Sequence, residues 1–205
     1  MKLVLKYGGT SISNTKNIQA ICKHVSELSK KHQIAIVCSA TSGTTDDLIE
    51  ISESIKKENK SKAEQLASKI INRHNQLAKQ TIKKSDIQKK LLVKLNEDFT
   101  ELLALIDGLV LLGEVTSRSM DYLISFGERL SIKLIAAAIN DLSKKSISLT
   151  GKEVGIVTDS NFGESKPLID TTRLRVSKSI DNLFSKKVIP VIGGFAGADQ
   201  HGHTT

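Results

Sequence analysis

Within six residues, Lys6-Tyr7-Gly8-Gly9-Thr10-Ser11 brings together a cation, two adjacent glycines and two hydroxyls, a set suited to holding an anion. The run follows an apolar stretch, Leu3-Val4-Leu5, and precedes a helical pattern that starts near Thr15. Strand, glycine-rich turn, then helix is the layout in which backbone N–H groups face an anion. Adjacent glycines let the backbone approach a ligand closely, because no Cβ stands between them. Lys6 closes the strand, so its ammonium reaches the same place, while Thr10 and Ser11 add hydroxyl donors. This is not a Walker A loop, in which the lysine follows the glycines; here it precedes them. An ordinary Gly-Gly turn with a solvated lysine fits the same hexapeptide, so the rest of the chain has to discriminate.

The elements that would position such a site read as alternating strands and helices. A helix from about Thr15 to Lys31 carries Ile18, Ile21, Cys22, Val25 and Leu28 on one face. Ile34 to Cys38 is an uninterrupted apolar strand, the pattern of a parallel strand covered on both faces. It ends in Ser39-Ala40-Thr41-Ser42-Gly43-Thr44-Thr45, and Asp46 and Asp47 open the next helix, where the helix dipole favours acids. Residues 60–106 read as two helices packed as a pair, broken near Lys83 to Asp86. His74 lies on the apolar stripe of the first, the place of a packed histidine rather than a ligand. The following helix contains Ser125-Phe126-Gly127-Glu128-Arg129. A glycine there costs about 1 kcal/mol against alanine and marks a close approach or a tolerated imperfection. Glu128 reads either as a surface acid paired with Arg129 and Lys133 or as an acid aimed at a site. Short strands are expected at Ser146–Leu149 and Gly155–Thr158. A polar loop from Asp159, a helix through Leu174 and Leu183, and a last strand, Val188 to Ile192, follow. That strand breaks into Gly193-Gly194-Phe195-Ala196-Gly197-Ala198-Asp199. Three apolar strands thus end in Gly/Ser/Thr loops, and in an open parallel sheet such ends share the edge where ligands bind.

Composition narrows the classes. Of 205 residues, 39% are hydrophobic and 25% charged, which suits a globular core, and aromatics at 3% make that core aliphatic. The formal charge of +8 is spread as lysine pairs such as Lys30-Lys31, Lys89-Lys90 and Lys144-Lys145. With no nucleic-acid fingerprint or aromatic partners, these read as a solvated surface, not a nucleic-acid interface. Cys22 and Cys38 are too few for a disulfide framework or a zinc site, which suits a reducing compartment and a cytoplasmic location. The opening apolar run is too short for a signal peptide, and Leu102 to Leu112 is too short for a membrane span.

At this point the sequence resembles the aspartokinases of the amino-acid kinase family. The resemblance rests on Lys6-Tyr7-Gly8-Gly9-Thr10-Ser11, the Ser39 to Gly43 loop with Thr45, and Ser125-Phe126-Gly127-Glu128-Arg129. It is completed by Thr158-Asp159-Ser160-Asn161-Phe162-Gly163 and by Gly194-Phe195-Ala196-Gly197 with Gly202-His203-Thr204-Thr205. What it implies is a three-layer α/β/α, carbamate kinase-like fold with a mostly parallel sheet and a helical insert at about 60–106. The implied reaction transfers the γ-phosphoryl of ATP, with Mg²⁺ held mainly through phosphates, to the side-chain carboxylate of L-aspartate. That step opens lysine, threonine and methionine synthesis. Lys6 would be catalytic and would bind the phosphates with Gly8, Gly9, Thr10 and Ser11. Thr45 and Glu128 match positions that hold aspartate, and His203 stands where many members carry an arginine for a substrate carboxylate. Ser39, Gly43, Asp159, Gly194 and Gly197 lie in the matching loops; no metal-ligand set is implied.

The same resemblance implies that residues 1–205 are the N-terminal, amino-acid-binding lobe, without the nucleotide-binding lobe and ACT domains. Little kinase activity is expected of such a lobe alone, and a homo-oligomer or a second-lobe partner is expected, with neither nucleic acid nor membrane. The alternatives are another member of the family, acting on acetylglutamate, glutamate or carbamate, and a non-catalytic interaction lobe.

Overall fold

The computed structural model describes residues 1–205. Four strands, β1 (Lys2–Tyr7), β2 (Gln33–Cys38), β3 (Ser146–Leu149) and β4 (Ile189–Gly193), form one sheet in the order β1-β2-β4-β3. Every neighbouring pair is parallel. Parallel pairing requires a crossover between strands, and helices supply each one. They are α1 (Thr15–Leu28), α2 (Thr44–Lys56), α3 (Lys60–Thr81), α4 (Ser85–Leu112), α5 (Ser117–Asp141), α6 (Gly151–Val154) and α7 (Ile169–Ser185).

Alternation along the strands divides the structure into layers, because successive side chains leave a strand on opposite faces. Ile34, Ile36 and Cys38 of β2 and Ile189 and Val191 of β4 enter the main core, with side chains from α1 to α5. Ala35, Val37 and Ile192 face the other way, toward Val176, Ile180 and Phe184 of α7. The first face is roofed by α1 to α5, with Leu5 and Tyr7 of β1 partly buried against them. The second is roofed by α7 and the short α6, and Val4 there stays 71% exposed. At about 1.5–3 kcal/mol for each large aliphatic side chain fully buried, the first face dominates stability. The main core is aliphatic apart from Phe99, Phe126 and the two cysteines, as the composition requires.

The helix ends follow local chemistry. The Asn14 side chain accepts from the Asn17 N–H at 3.0 Å to start α1, and Thr116 accepts from the Ser119 N–H at 3.2 Å to start α5. Thr150 and Glu153 form a reciprocal capping box on α6. The insert is longer than the sequence reading: α4 continues past Ile106 to Leu112 and ends at Gly113, φ 71°. Its turn from α3 is fixed by the Asp141 carboxylate, which accepts the N–H groups of Lys83 and Lys84 at 3.0 and 2.8 Å.

One expected strand is absent. Residues 155–158 do not join the sheet; Val157 and Thr158 make isolated bridges to Ala198 and Pro167. The reason is local competition for the backbone. Gly155, at φ 104°, closes α6, and the Val157 N–H donates to the Thr172 hydroxyl, which itself donates to the Val157 carbonyl, both at 3.0 Å. The remaining backbone groups of Ile156-Val157-Thr158 pair with single residues of the last loop and of 166–168, the Ala198 N–H donating to the Ile156 carbonyl at 3.1 Å and the Thr158 N–H to the Ala198 carbonyl at 2.9 Å, so the run is spent on bridges and not on the sheet.

Candidate active site

Strand register places the ends of β1, β2, β4 and β3 side by side, with Tyr7 opposite Cys38, Cys38 opposite Gly193, and Leu149 opposite Ile192. The loops that leave them are therefore neighbours. After β1, Gly8 leads into a single 3₁₀ turn, Gly9–Ile12, in which the Ser11 N–H donates to the Gly8 carbonyl at 3.0 Å. A Cβ on Gly8 would meet nothing within 4 Å, so this backbone faces open space. Gly9 is different: a Cβ there would lie 3.0 Å from the Ala40 carbonyl oxygen, which packs the first loop on the second. Lys6 is exposed and makes no ion pair.

The second loop is gripped from several sides. Gly127 of α5 lets the helix touch it, since a Cβ would come within 2.8 Å of the Ala40 Cβ. Ser131 of α5 donates its hydroxyl to the Ser39 carbonyl at 2.7 Å. The loop turns at Gly43, φ 73°, into α2, where Thr44 is fully buried and Thr45 is partly exposed in the first turn. The glycine inside α5 therefore marks a close approach.

Glu128 sits between the loops, 8% exposed, and its carboxylate accepts the Phe195 N–H at 3.0 Å. Burial raises its pKa, while the N–H groups of Phe195, Ala196 and Gly194 and the Lys6 ammonium act in the opposite direction. Of its two sequence readings, the surface ion pair is overturned. Arg129 pairs with Asp98 at 2.7 Å and with Glu101, and Lys133 with Asp98 at 2.5 Å. The Arg129 guanidinium also lies 4.3 Å over the Phe126 ring. One turn of helix thus sends its acid to the sheet edge and its base to α4.

A cavity of about 400 Å³ opens beside Glu128, bordered by Tyr122, Thr150, Gly193, Gly197 and Thr204. Gly197 is held by reciprocal backbone bonds with Thr205 at 3.0 and 3.3 Å, and Gly194 covers Val37, which a Cβ would meet at 2.5 Å. Lys6, the Gly8–Ser11 turn and Thr45 belong to the same sheet edge but do not border this cavity.

The last loop is organised by a residue the sequence reading passed over. The buried Asp199 carboxylate accepts the N–H groups of His201 and His203, both at 2.9 Å, and the Ser160 hydroxyl at 3.1 Å; the His203 ring lies 3.1 Å away. Burial acts to raise its pKa, but these donors together hold it well below the usual carboxylate range. His203 is thus already engaged by an acid of its own loop. Asp159 accepts the N–H groups of Asn161 and Lys166 on one carboxylate oxygen at 3.2 and 3.0 Å, closing residues 159–166. The sequence signal for Asp199 was its place directly after a glycine-rich strand end. Cys22 and Cys38 are free and buried, and burial pushes both thiols up to about 12, so neither is a ready nucleophile.

Comparison with known proteins agrees with this fold. The family model described as the amino acid kinase family matches residues 1–205. An aspartokinase of Helicobacter pylori is 30% identical over 207 residues, covering 100% of this chain and 36% of that protein. Aspartokinase 1, chloroplastic, of Arabidopsis thaliana is 28% identical over 198 residues, covering 95% of this chain and 33% of its own length. Among solved structures, E. coli aspartokinase III in complex with aspartate and ADP superposes with a TM-score of 0.87 at 18% identity, over 100% of this chain and 43% of that one. The aspartate kinase of Clostridium acetobutylicum gives 0.69 at 17%, over 100% and 41%. At such identities the structures speak for the fold, and the chain spans about a third of the length of the curated relatives it matches. On the family match over all of its residues, this chain belongs to the amino acid kinase family.

Proposed function

We propose that this chain is the amino-acid-binding lobe of an ATP-dependent aspartate kinase, transferring the γ-phosphoryl group to the side-chain carboxylate of L-aspartate. The observation that carries the proposal is the unpaired Lys6 beside a turn whose Gly8 faces open space, within electrostatic reach of the buried Glu128. Phosphoryl transfer to a carboxylate needs no general base, because the nucleophile has no proton to lose. It needs the two reactants aligned and the charge on the transferring oxygens stabilised. Lys6 and the amides of Gly8 and Gly9 would supply that stabilisation, with Thr10 and Ser11 as further donors. The carboxylate of Glu128 is suited to the α-ammonium of the amino acid, and Thr45, in the first turn of α2, to a polar group near it. His203, tied to Asp199, would orient its loop more than grip a substrate.

The open glycine turn and free cation suit polyphosphate. A Mg²⁺ accompanying ATP would be held through the phosphate oxygens, where it would neutralise developing charge. The pathway role, a cytoplasmic location and assembly with a second lobe or a second copy belong to the same proposal.

Calorimetric titration of the chain with L-aspartate, and separately with MgATP, tests it. Aspartate is expected to bind, and Glu128→Gln to weaken that binding at least tenfold. Lys6→Met is expected to leave aspartate binding within about threefold and to abolish acyl-phosphate formation, trapped as the hydroxamate, wherever the intact chain forms any. Preference for glutamate or acetylglutamate would reassign the acceptor; unaltered aspartate binding in Glu128→Gln would remove that residue from the site.

A further inference from the structure

His74 is fully buried in α3, outside the cavity and the glycine turn, and the mechanism above does not use it. Its hydrogen bonds have a direction that can be worked out. Nδ1 lies 2.8 Å from the Ile70 carbonyl oxygen, which only accepts, so Nδ1 carries the hydrogen. Burial lowers the pKa of the ring to about 4, opposed in part by the Ile70 carbonyl and reinforced by Arg73, so the ring is neutral near pH 7 and Nε2 is bare. Nε2 must then accept from the Thr41 hydroxyl, 3.0 Å away. With its hydrogen committed, Thr41 accepts from the Thr44 hydroxyl at 2.7 Å. Thr44 in turn accepts from Nη1 of Arg73 at 3.0 Å. Arginine only donates at one end and the carbonyl only accepts at the other, so every hydrogen has one assignment and the chain runs one way.

The members of this chain are unevenly placed. Arg73 and His74 belong to α3 of the helical insert, whereas Thr41 belongs to the loop after β2 and Thr44 to the first turn of α2, the segment that presents Ser39 and Thr45 at the sheet edge. The charged groups around it are Arg73 itself and Asp47 of α2, which binds Arg73 at 2.8 Å and Lys69 at 2.7 Å. The insert therefore reaches the edge loop by hydrogen bonds between buried hydroxyls, whose geometry is strict where water is excluded.

We propose that His74 is a positioning residue: through the chain Arg73, Thr44, Thr41, His74, the helical insert fixes the conformation of residues 39–45 and thereby tunes the affinity of the edge for the amino-acid substrate. The part concerning substrate rests on the reading given under Proposed function; the part concerning the loop does not.

Amide hydrogen exchange over residues 39–45 tests the loop directly, in the intact chain and in Thr41→Val, His74→Leu and His74→Gln. Valine keeps the shape of threonine and removes the link, leucine removes the acceptor, and glutamine restores an acceptor oxygen near the place of Nε2. Exchange at 39–45 is expected to rise at least tenfold in Thr41→Val and His74→Leu and to return to within about threefold of the parent in His74→Gln. Residues 194–205 should not change. The double variant Thr41→Val/His74→Leu should be no looser than either single one, because both cut the same link. Unchanged exchange in Thr41→Val, or equal loosening by His74→Gln and His74→Leu, would overturn the proposal. If His74→Leu fails to fold, Thr41→Val decides alone. L-aspartate titration then separates the two claims. Where the parent binds aspartate, Thr41→Val is expected to weaken it about fivefold or more. Absence of binding by the parent removes the substrate reading while the exchange result still judges the loop.

Discussion

The two halves of the sheet edge are built on different plans. The loop after β2 makes few bonds within itself and is held from outside, by Arg73 and His74 of α3 and by Gly127 and Ser131 of α5. The loop after β4 also ties itself: Asp199 collects donors from His201 and His203, and Gly197 pairs with Thr205, while Glu128, Lys152, Ile156, Thr158 and Ser160 hold it from outside. The first loop is clamped by helices of the main core and inherits its stability, whereas the self-tied loop leans, apart from Glu128, mainly on residues 152–160, whose Val154 and Val157 lie outside that core.

Each plan has a glycine at its tightest point, and each can be broken there. The largest effect is expected for Gly151→Ala. A Cβ on Gly151, at the start of α6, would lie 1.8 Å from the Ala196 carbonyl oxygen, so the backbone of the self-tied loop must move. A loss of about 3 kcal/mol or more in denaturant unfolding is expected, with faster exchange at 194–205 and little change at 39–45. Normal stability would mean that the two loops do not press on each other at that point.

Acid should act on the clamped half next. His74 is buried and neutral with its pKa lowered to about 4, whereas in the unfolded chain it titrates near 6.5. The unfolded state therefore binds the proton more readily between those values. Stability from this group is complete above about pH 6.5, declines as pH falls toward 4, and is about 3 kcal/mol lower below that. The difference between the parent and His74→Gln isolates this from the carboxylates, and a flat difference between pH 7 and 4 would place the ring in contact with water.

The smallest effect is expected for Gly127→Ala. Here the added Cβ meets the Ala40 Cβ, 2.8 Å away, a milder overlap than the 1.8 Å at Gly151, and alanine favours the helix by about 1 kcal/mol. A net loss of only about 1 kcal/mol is expected in thermal unfolding, with the exchange change confined to 39–45. Loosening of 194–205 by this substitution would erase the distinction between the two halves.

Much of this was legible in the residues themselves. The apolar runs of β1, β2 and β4 and the glycines after two of them declare a parallel sheet with a loaded edge, because buried parallel strands exclude polar residues and tight turns need glycine. The helical stripes of α3, α4 and α5 are equally plain, since they repeat at the period of a helix that buries one face. The strand expected at 155–158 was misread because β-branched residues state a preference for extended backbone, not the identity of the partner.

Sequence by itself determined the class of fold, the candidate cation at Lys6 and the loops at the edge. It did not determine that Glu128 turns to the edge while Arg129 turns to α4, that Asp199 ties the final loop, or that His74 reaches a threonine 33 positions away. Spacing along one chain fixes which face of an element a residue occupies, but what that face meets is decided only when distant elements pack. Burial then makes each unpaired donor and acceptor costly enough that one arrangement is kept.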